Sequence, residues 1–161
     1  MEYLKDKFRA LAEAIERESV LVHRAALVDG YRDIHKLSNL GVDKVIKKAT
    51  DYGARKGARI LKERYGIYTD RLDEALDILT VIAESSRLLD VFEYDLESME
   101  IRVDGSILVE AVGKSDKPVC EPMAGFFEGF LSELLGKKLS VKETACRAQG
   151  YDRCIFKIKV K

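Results

Sequence analysis

The hydrophobic period of this 161-residue chain changes near Ser86, and that change restricts it to one class of fold. Up to that point apolar residues recur at three- and four-residue spacing, as on one face of a helix; beyond it most runs alternate as strands do. Leu4, Phe8, Leu11, Ala12 and Ile15, interleaved with Lys5, Asp6, Arg9, Glu13 and Arg17, predict an amphipathic helix over residues 2–18. Residues 20–28 are mixed, and Gly30 and Ser38-Asn39-Leu40-Gly41 punctuate the chain. A second helix is predicted from Val42 to Arg64, stopped by Gly66. A third spans Arg71 to Ser86, with Leu72, Ala75, Leu76, Leu79 and Ile82 facing inward and Asp73, Glu74 and Asp77 near its positive N-terminus.

Past Ser86, strands are predicted at Leu89 to Tyr94, Ser98 to Val103 and Ser106 to Val112, with Asp104-Gly105 as a hairpin turn. Pro122 suits a first helical turn, and Met123, Phe126, Phe127, Phe130, Leu131, Leu134 and Leu135 form a wide apolar stripe ending at Gly136. Two final strands, about Leu139 to Arg147 and Arg153 to Val160, flank a turn at Gln149-Gly150-Tyr151-Asp152. The expected class is α+β, with N-terminal helices packed on an antiparallel sheet. Gly53 with Gly57, and Gly125 with Gly129, are read as points where helix backbones approach closely.

Charge narrows the function classes. Lysine plus arginine balances aspartate plus glutamate at 28 each, so no net field draws in nucleic acid or an anionic membrane. No apolar run approaches the roughly 18 residues of a membrane span, and the mixed residues Met1 to Arg9 do not form a signal peptide, so a soluble cytoplasmic protein is expected. Charged residues make up 35% of the chain while Asn39 and Gln149 are its only side-chain amides, a composition that points to a thermophilic source. In hyperthermophiles intracellular disulfides do occur, so the three cysteines are not assumed to be reduced.

Cys146 and Cys154 flank the predicted turn, and a hairpin centred on Gly150 sets them opposite each other. Cys120 precedes the helix that starts at Pro122, where a helix dipole favours a thiolate. A closed tetrahedral zinc site needs a fourth ligand, for which Glu143 is the nearest oxygen; water is the alternative. Strand alternation points Glu143 and Cys146 to opposite faces unless a bulge falls at Thr144 or Ala145. From spacing alone, shared metal binding stands level with ordinary core packing or a Cys146–Cys154 disulfide. His23 and His35 lie far from the cysteines in sequence and are assigned no role. Gly113-Lys114-Ser115 is no phosphate loop, because Leu108 occupies the required earlier glycine position.

Cys120-Glu121-Pro122 with Gly125 and Gly129, Gly136-Lys137, Glu143-x-x-Cys146, Gly150, Cys154 and Phe156 together resemble the 4-vinyl reductase domain family. Zinc-binding members of that family space a cysteine, a glutamate, a cysteine and a cysteine by twenty-two, two and seven residues, and this chain has the same gaps. The helix with Thr50-Asp51-Tyr52-Gly53-Ala54-Arg55-Lys56-Gly57 extends the resemblance to about residues 40–160.

The resemblance implies zinc held by Cys120, Glu143, Cys146 and Cys154, and a fold related to nitric-oxide sensor and vesicle-tethering domains. It implies a homodimer that binds a hydrophobic or aromatic small molecule, senses it and performs no catalysis. Residues 1–40 are then a helical segment for dimerisation or capping the core, and residues 41–161 the ligand-binding domain. Phe92, Tyr94, Phe126, Phe127 and Phe130 are candidate pocket residues, although aromatics at such spacings also build ordinary cores. Two alternatives remain, a tetrapyrrole vinyl-group reductase or its accessory factor, and a homodimeric interaction scaffold. The chain has no glycine-rich dinucleotide fingerprint to supply a hydride.

Overall fold

A computed structural model describes residues 2–161, with the side chains of residues 2–4, and so Leu4 of the first predicted stripe, outside the description. Four long helices are α1 (Glu2–Glu18), α3 (Val42–Tyr65), α4 (Leu72–Ser85) and α6 (Glu121–Leu135), joined by the shorter α2 (Arg24–His35) and α5 (Ile107–Val112). The strands β1 (Val91–Asp95), β2 (Glu100–Asp104), β3 (Leu139–Ala145) and β4 (Cys154–Val160) form one antiparallel sheet in the order β1-β2-β4-β3. The class is α+β, as the period change predicts.

α6 organises the interior. Apolar around most of its circumference, it must be covered on all sides, and it lies between α3 and the sheet. On the sheet side Phe127 meets the Phe92 and Phe156 rings edge-on, at 5.3 and 5.2 Å between centroids. On the α3 side Gly125 and Gly129 let two backbones touch: an added Cβ would meet the Lys47 carbonyl oxygen at 2.3 Å and that of Asp51 at 2.2 Å. Thr50 completes the seam by donating to the Pro122 carbonyl at 2.7 Å.

The second glycine pair behaves differently. Gly53 and Gly57 have nothing within 4 Å of an added Cβ, so they permit no close approach; they leave space.

Two elements depart from expectation. Residues 107–112 are helix α5, not a strand: Ser106 caps it by accepting from the Leu108 N–H at 3.2 Å, and Ile107, Leu108 and Ala111 are its buried residues. The hairpin turn lies instead at residues 96–99, between β1 and β2, where Asp95 Oδ1 accepts from the Glu97 N–H at 2.9 Å. Gly105 serves a close approach, with a positive φ of 67° and a Cβ position only 2.0 Å from Asp90 Oδ2. The mixed region contains helix α2, which buries only Val28 and holds Gly30, so its pattern is faint in sequence. Tertiary bonds hold it, including Tyr31 hydroxyl to the Val119 carbonyl at 2.7 Å and Arg32 Nε to that of Ala111 at 3.0 Å.

The outer face of the sheet is charged, with Lys157–Glu100 and Arg102–Glu100 pairs at 3.4 and 3.2 Å. Among the described residues, no helix is long and apolar enough to cross a membrane.

Candidate metal centre and apolar cavity

Three structural devices converge at the turn end of the β3–β4 hairpin. The first is a bulge: Glu143 pairs with Phe156 but Ala145 with Ile155, so Thr144 is the extra residue. That insertion resets the alternation, and Glu143 and Cys146 are both buried while Thr144 is exposed. The second is the return of the chain through the short helical turn Arg147–Gln149, which brings the Cys154 sulfur to 3.7 Å from that of Cys146. The third is the start of α6, where Cys120 occupies the N-cap with its sulfur 3.8 Å from that of Cys154.

Cys120, Glu143, Cys146 and Cys154 thus form one buried group whose candidate ligand atoms all lie within 4.8 Å of each other. The cysteines are free, and at 3.7 Å the Cys146 and Cys154 sulfurs are far beyond the ~2.05 Å of a disulfide.

The spacing suits a tetrahedral ion. Sulfurs about 2.3 Å from a shared centre sit about 3.8 Å from one another at tetrahedral angles, which matches the two sulfur separations given above. One carboxylate oxygen, Glu143 Oε2, accepts from the Cys120 N–H at 2.8 Å; the other, Oε1, is buried with no hydrogen-bond partner. A buried carboxylate oxygen without a donor is costly, and a cation at the centre of the four residues would relieve that cost.

The electrostatics agree. Burial, and then the neighbouring Cys146 charge, push the Glu143 carboxyl up to about 9. Hydrogen bonds from Cys120 and Cys154 pull Cys146 far below an ordinary thiol, and the Cys120 thiol is raised by its bonds to Cys146 and Cys154 and by burial. Four acidic groups buried this close resist carrying several negative charges together, a cost that a shared cation would offset.

Ser106, which sequence reasoning assigned to a strand, shares a 3.2 Å hydrogen bond with the Cys120 sulfur while capping α5. Its signal was the serine immediately before an apolar run. The Arg147 N–H donates to Cys154 sulfur at 3.4 Å. Neither histidine joins the group: His23 Nδ1 accepts from the Ala25 N–H, and His35 faces Asp43 at 3.9 Å.

Beside this group lies a cavity of about 160 Å³ between α3, α4, α5 and α6. Ile107, Leu108, Pro122, Met123, Phe126 and Phe127 contribute to its walls. Its two hydroxyls are engaged elsewhere, Thr50 with the Lys47 and Pro122 carbonyls and Ser86 with the Ala83 carbonyl and the Leu88 N–H. Of the candidate pocket aromatics, Phe126 and Phe127 line this cavity, whereas Phe92 packs in the core and Tyr94 donates to Asp77 at 2.7 Å.

Residues 99–160 match the 4-vinyl reductase domain family. The fold is similar to the phenol-responsive sensory domain of the transcription activator PoxR, solved with phenol (TM-score 0.66, 17% identity, 88% of this chain and 76% of that one). It is also similar to a vinyl-4-reductase family protein from Methanocaldococcus jannaschii (TM-score 0.62, 17% identity, 98% and 94% covered). A trafficking protein particle complex subunit 3 from Naegleria fowleri, covalently bound to palmitic acid, shares the fold (TM-score 0.59, 14% identity, 96% of both chains). So does an H-NOX protein from S. oneidensis (TM-score 0.51, 15% identity, 96% and 89% covered).

Proposed function

We propose, from the premise that residues 99–160 carry a 4-vinyl reductase domain, that this chain is a binding and sensing module for a small apolar molecule and that a structural zinc ion anchors it. The observation that carries the reading is the cavity between α3, α4, α5 and α6, whose walls are apolar and whose hydroxyls already have partners. A ligand there gains by removing carbon surface from water, at about 25 cal/mol per Å². Its volume is close to the ~150 Å³ of a dry cavity that accepts benzene.

Zinc is the ion we assign to Cys120, Glu143, Cys146 and Cys154, because three sulfurs and one oxygen in a closed tetrahedron suit a borderline-soft metal and leave no open position for catalysis. When bound it would supply a cross-link between the β3–β4 hairpin and the start of α6. The protein's own contribution is to orient the ligands, through Ser106 on Cys120 and the Cys120 N–H on Glu143.

The vinyl-reductase reading gains nothing from the cavity, whose lining offers no free proton donor. A homodimer is the assembly we assign, supported by the exposed run Val20, Leu21 and Val22 between α1 and α2. The burial of Leu11 and Ala14 on α1 supports the reading of the 1–40 segment as a cap on the core of a ligand-binding domain at residues 41–161.

The deciding experiment measures zinc per chain in protein purified without added metal, free thiols with and without chelator, and calorimetric binding of benzene and toluene. About one zinc per chain, thiols released only on chelation, and saturable binding are expected. A metal-free protein whose three thiols react at once would remove the zinc assignment, and absence of saturable binding would remove the ligand reading.

A further inference from the structure

A second cavity, of about 200 Å³, lies under α1 and is lined by Leu11, Ala14, Gly53, Gly57, Phe126 and Phe130 among others. It runs along the same three helices as the first. On α3 the lining passes from Thr50 to Gly53 and Gly57, on α4 from Ala83 to Ile82, and on α6 from Met123 to Phe130. Phe126 is the one residue that lines both cavities. Its ring is only half-buried, 6.2 Å from those of Phe127 and Phe130.

We infer that the two cavities are lobes of one binding channel for an elongated apolar ligand, and that Phe126 is the partition that fixes how long the ligand can be. The inference rests on the first cavity being the ligand site. Each lobe alone is the size of one small ring, whereas together they pass the ~300 Å³ at which ordinary ligand sites begin. The glycine pair on α3 gains a role here: with nothing within 4 Å of an added Cβ, Gly53 and Gly57 keep the second lobe open by lacking side chains. The lobe's polar lining residues, Glu18 and Ser19, are both exposed, and Glu18 is engaged, accepting from Arg64 at 2.9 Å and from the Tyr65 hydroxyl at 3.1 Å. A plain hydrocarbon tail is therefore the chemistry this lobe accepts.

The test is calorimetric binding of an n-alkylbenzene series, benzene to hexylbenzene, to the full chain, F126A, and F126A combined with G53L. For the wild type, affinity should rise with the first one or two methylenes and then stop rising. In F126A it should go on rising, by about fourfold per buried methylene, and in F126A/G53L that extension should vanish because leucine fills the second lobe. If F126A fails to fold by circular dichroism, F126L gives the same readout with a smaller extension.

Identical chain-length profiles in wild type and F126A would overturn the partition while leaving the first cavity as the ligand site. An extension that survives G53L would overturn the two-lobe channel, because the tail would then run into solvent. If the wild type binds none of the series, the cavity reading itself fails and this inference with it.

Discussion

Glu143 is the residue on which two opposing effects meet. Its carboxyl is raised from 4.5 to about 9 by burial and by the Cys146 charge, so in the metal-free chain the folded state holds a proton that the unfolded state has released. Stability contributed by that proton is complete below about 4.5 and is lost as pH rises toward about 9. Metal binding runs the other way, because ligands must lose protons to coordinate, so affinity grows with pH over the same window. Glu143→Gln should therefore give a metal-free protein whose urea midpoint at pH 8 equals or exceeds that of the wild type, together with weaker zinc retention against a chelator. A variant that loses stability without metal and keeps full zinc affinity would contradict this account of Glu143.

Among the elements, the seam between α3 and α6 offers the sharpest contrast. Gly129→Ala drives a methyl group into the Asp51 carbonyl, 2.2 Å from the Cβ position, and overpacking against backbone should cost about 1–3 kcal/mol or more. Gly57→Ala meets nothing and should be neutral or stabilising by up to ~1 kcal/mol, the difference in helix propensity. Thermal melts of the two variants separate the cases, and equal destabilisation would show that α3 and α6 do not meet as described. Both glycines looked alike in sequence because spacing reports only that two small residues share a helix face. The same ambiguity misplaced α5: Ile107, Leu108 and Val109 are β-branched or strand-compatible, and only the Ser106 cap distinguishes a short helix from a strand.

For the whole molecule, the metal group and the apolar cavity share supports. Ser106 and Cys120 are in contact, and Ile107, Leu108, Pro122 and Met123, each within three residues of one or the other, line the cavity. Loading and stripping the ion should consequently change ligand affinity, not only stability. Chelation of the purified protein is expected to lower the melting midpoint and to weaken benzene binding severalfold, with readdition of zinc restoring both. An unchanged benzene affinity in stripped, still-folded protein would show that the cavity walls stand without the ion.

The sequence by itself determined the long helices, because 3.6-residue periodicity over 14 to 24 residues and the terminal glycines Gly66 and Gly136 are local signals. It also determined that Glu143 and Cys146 could share a face only with a bulge between them, since strand alternation is a counting rule, while the candidate ligand set came from the family resemblance. Only the tertiary structure decided that Thr144 is that residue, through pairing of β3 with β4. Only it decided that one glycine pair closes a seam while the other holds open a cavity, and that α2 is a helix at all. Those outcomes depend on what each face meets across the fold, and that information belongs to no single segment of the chain.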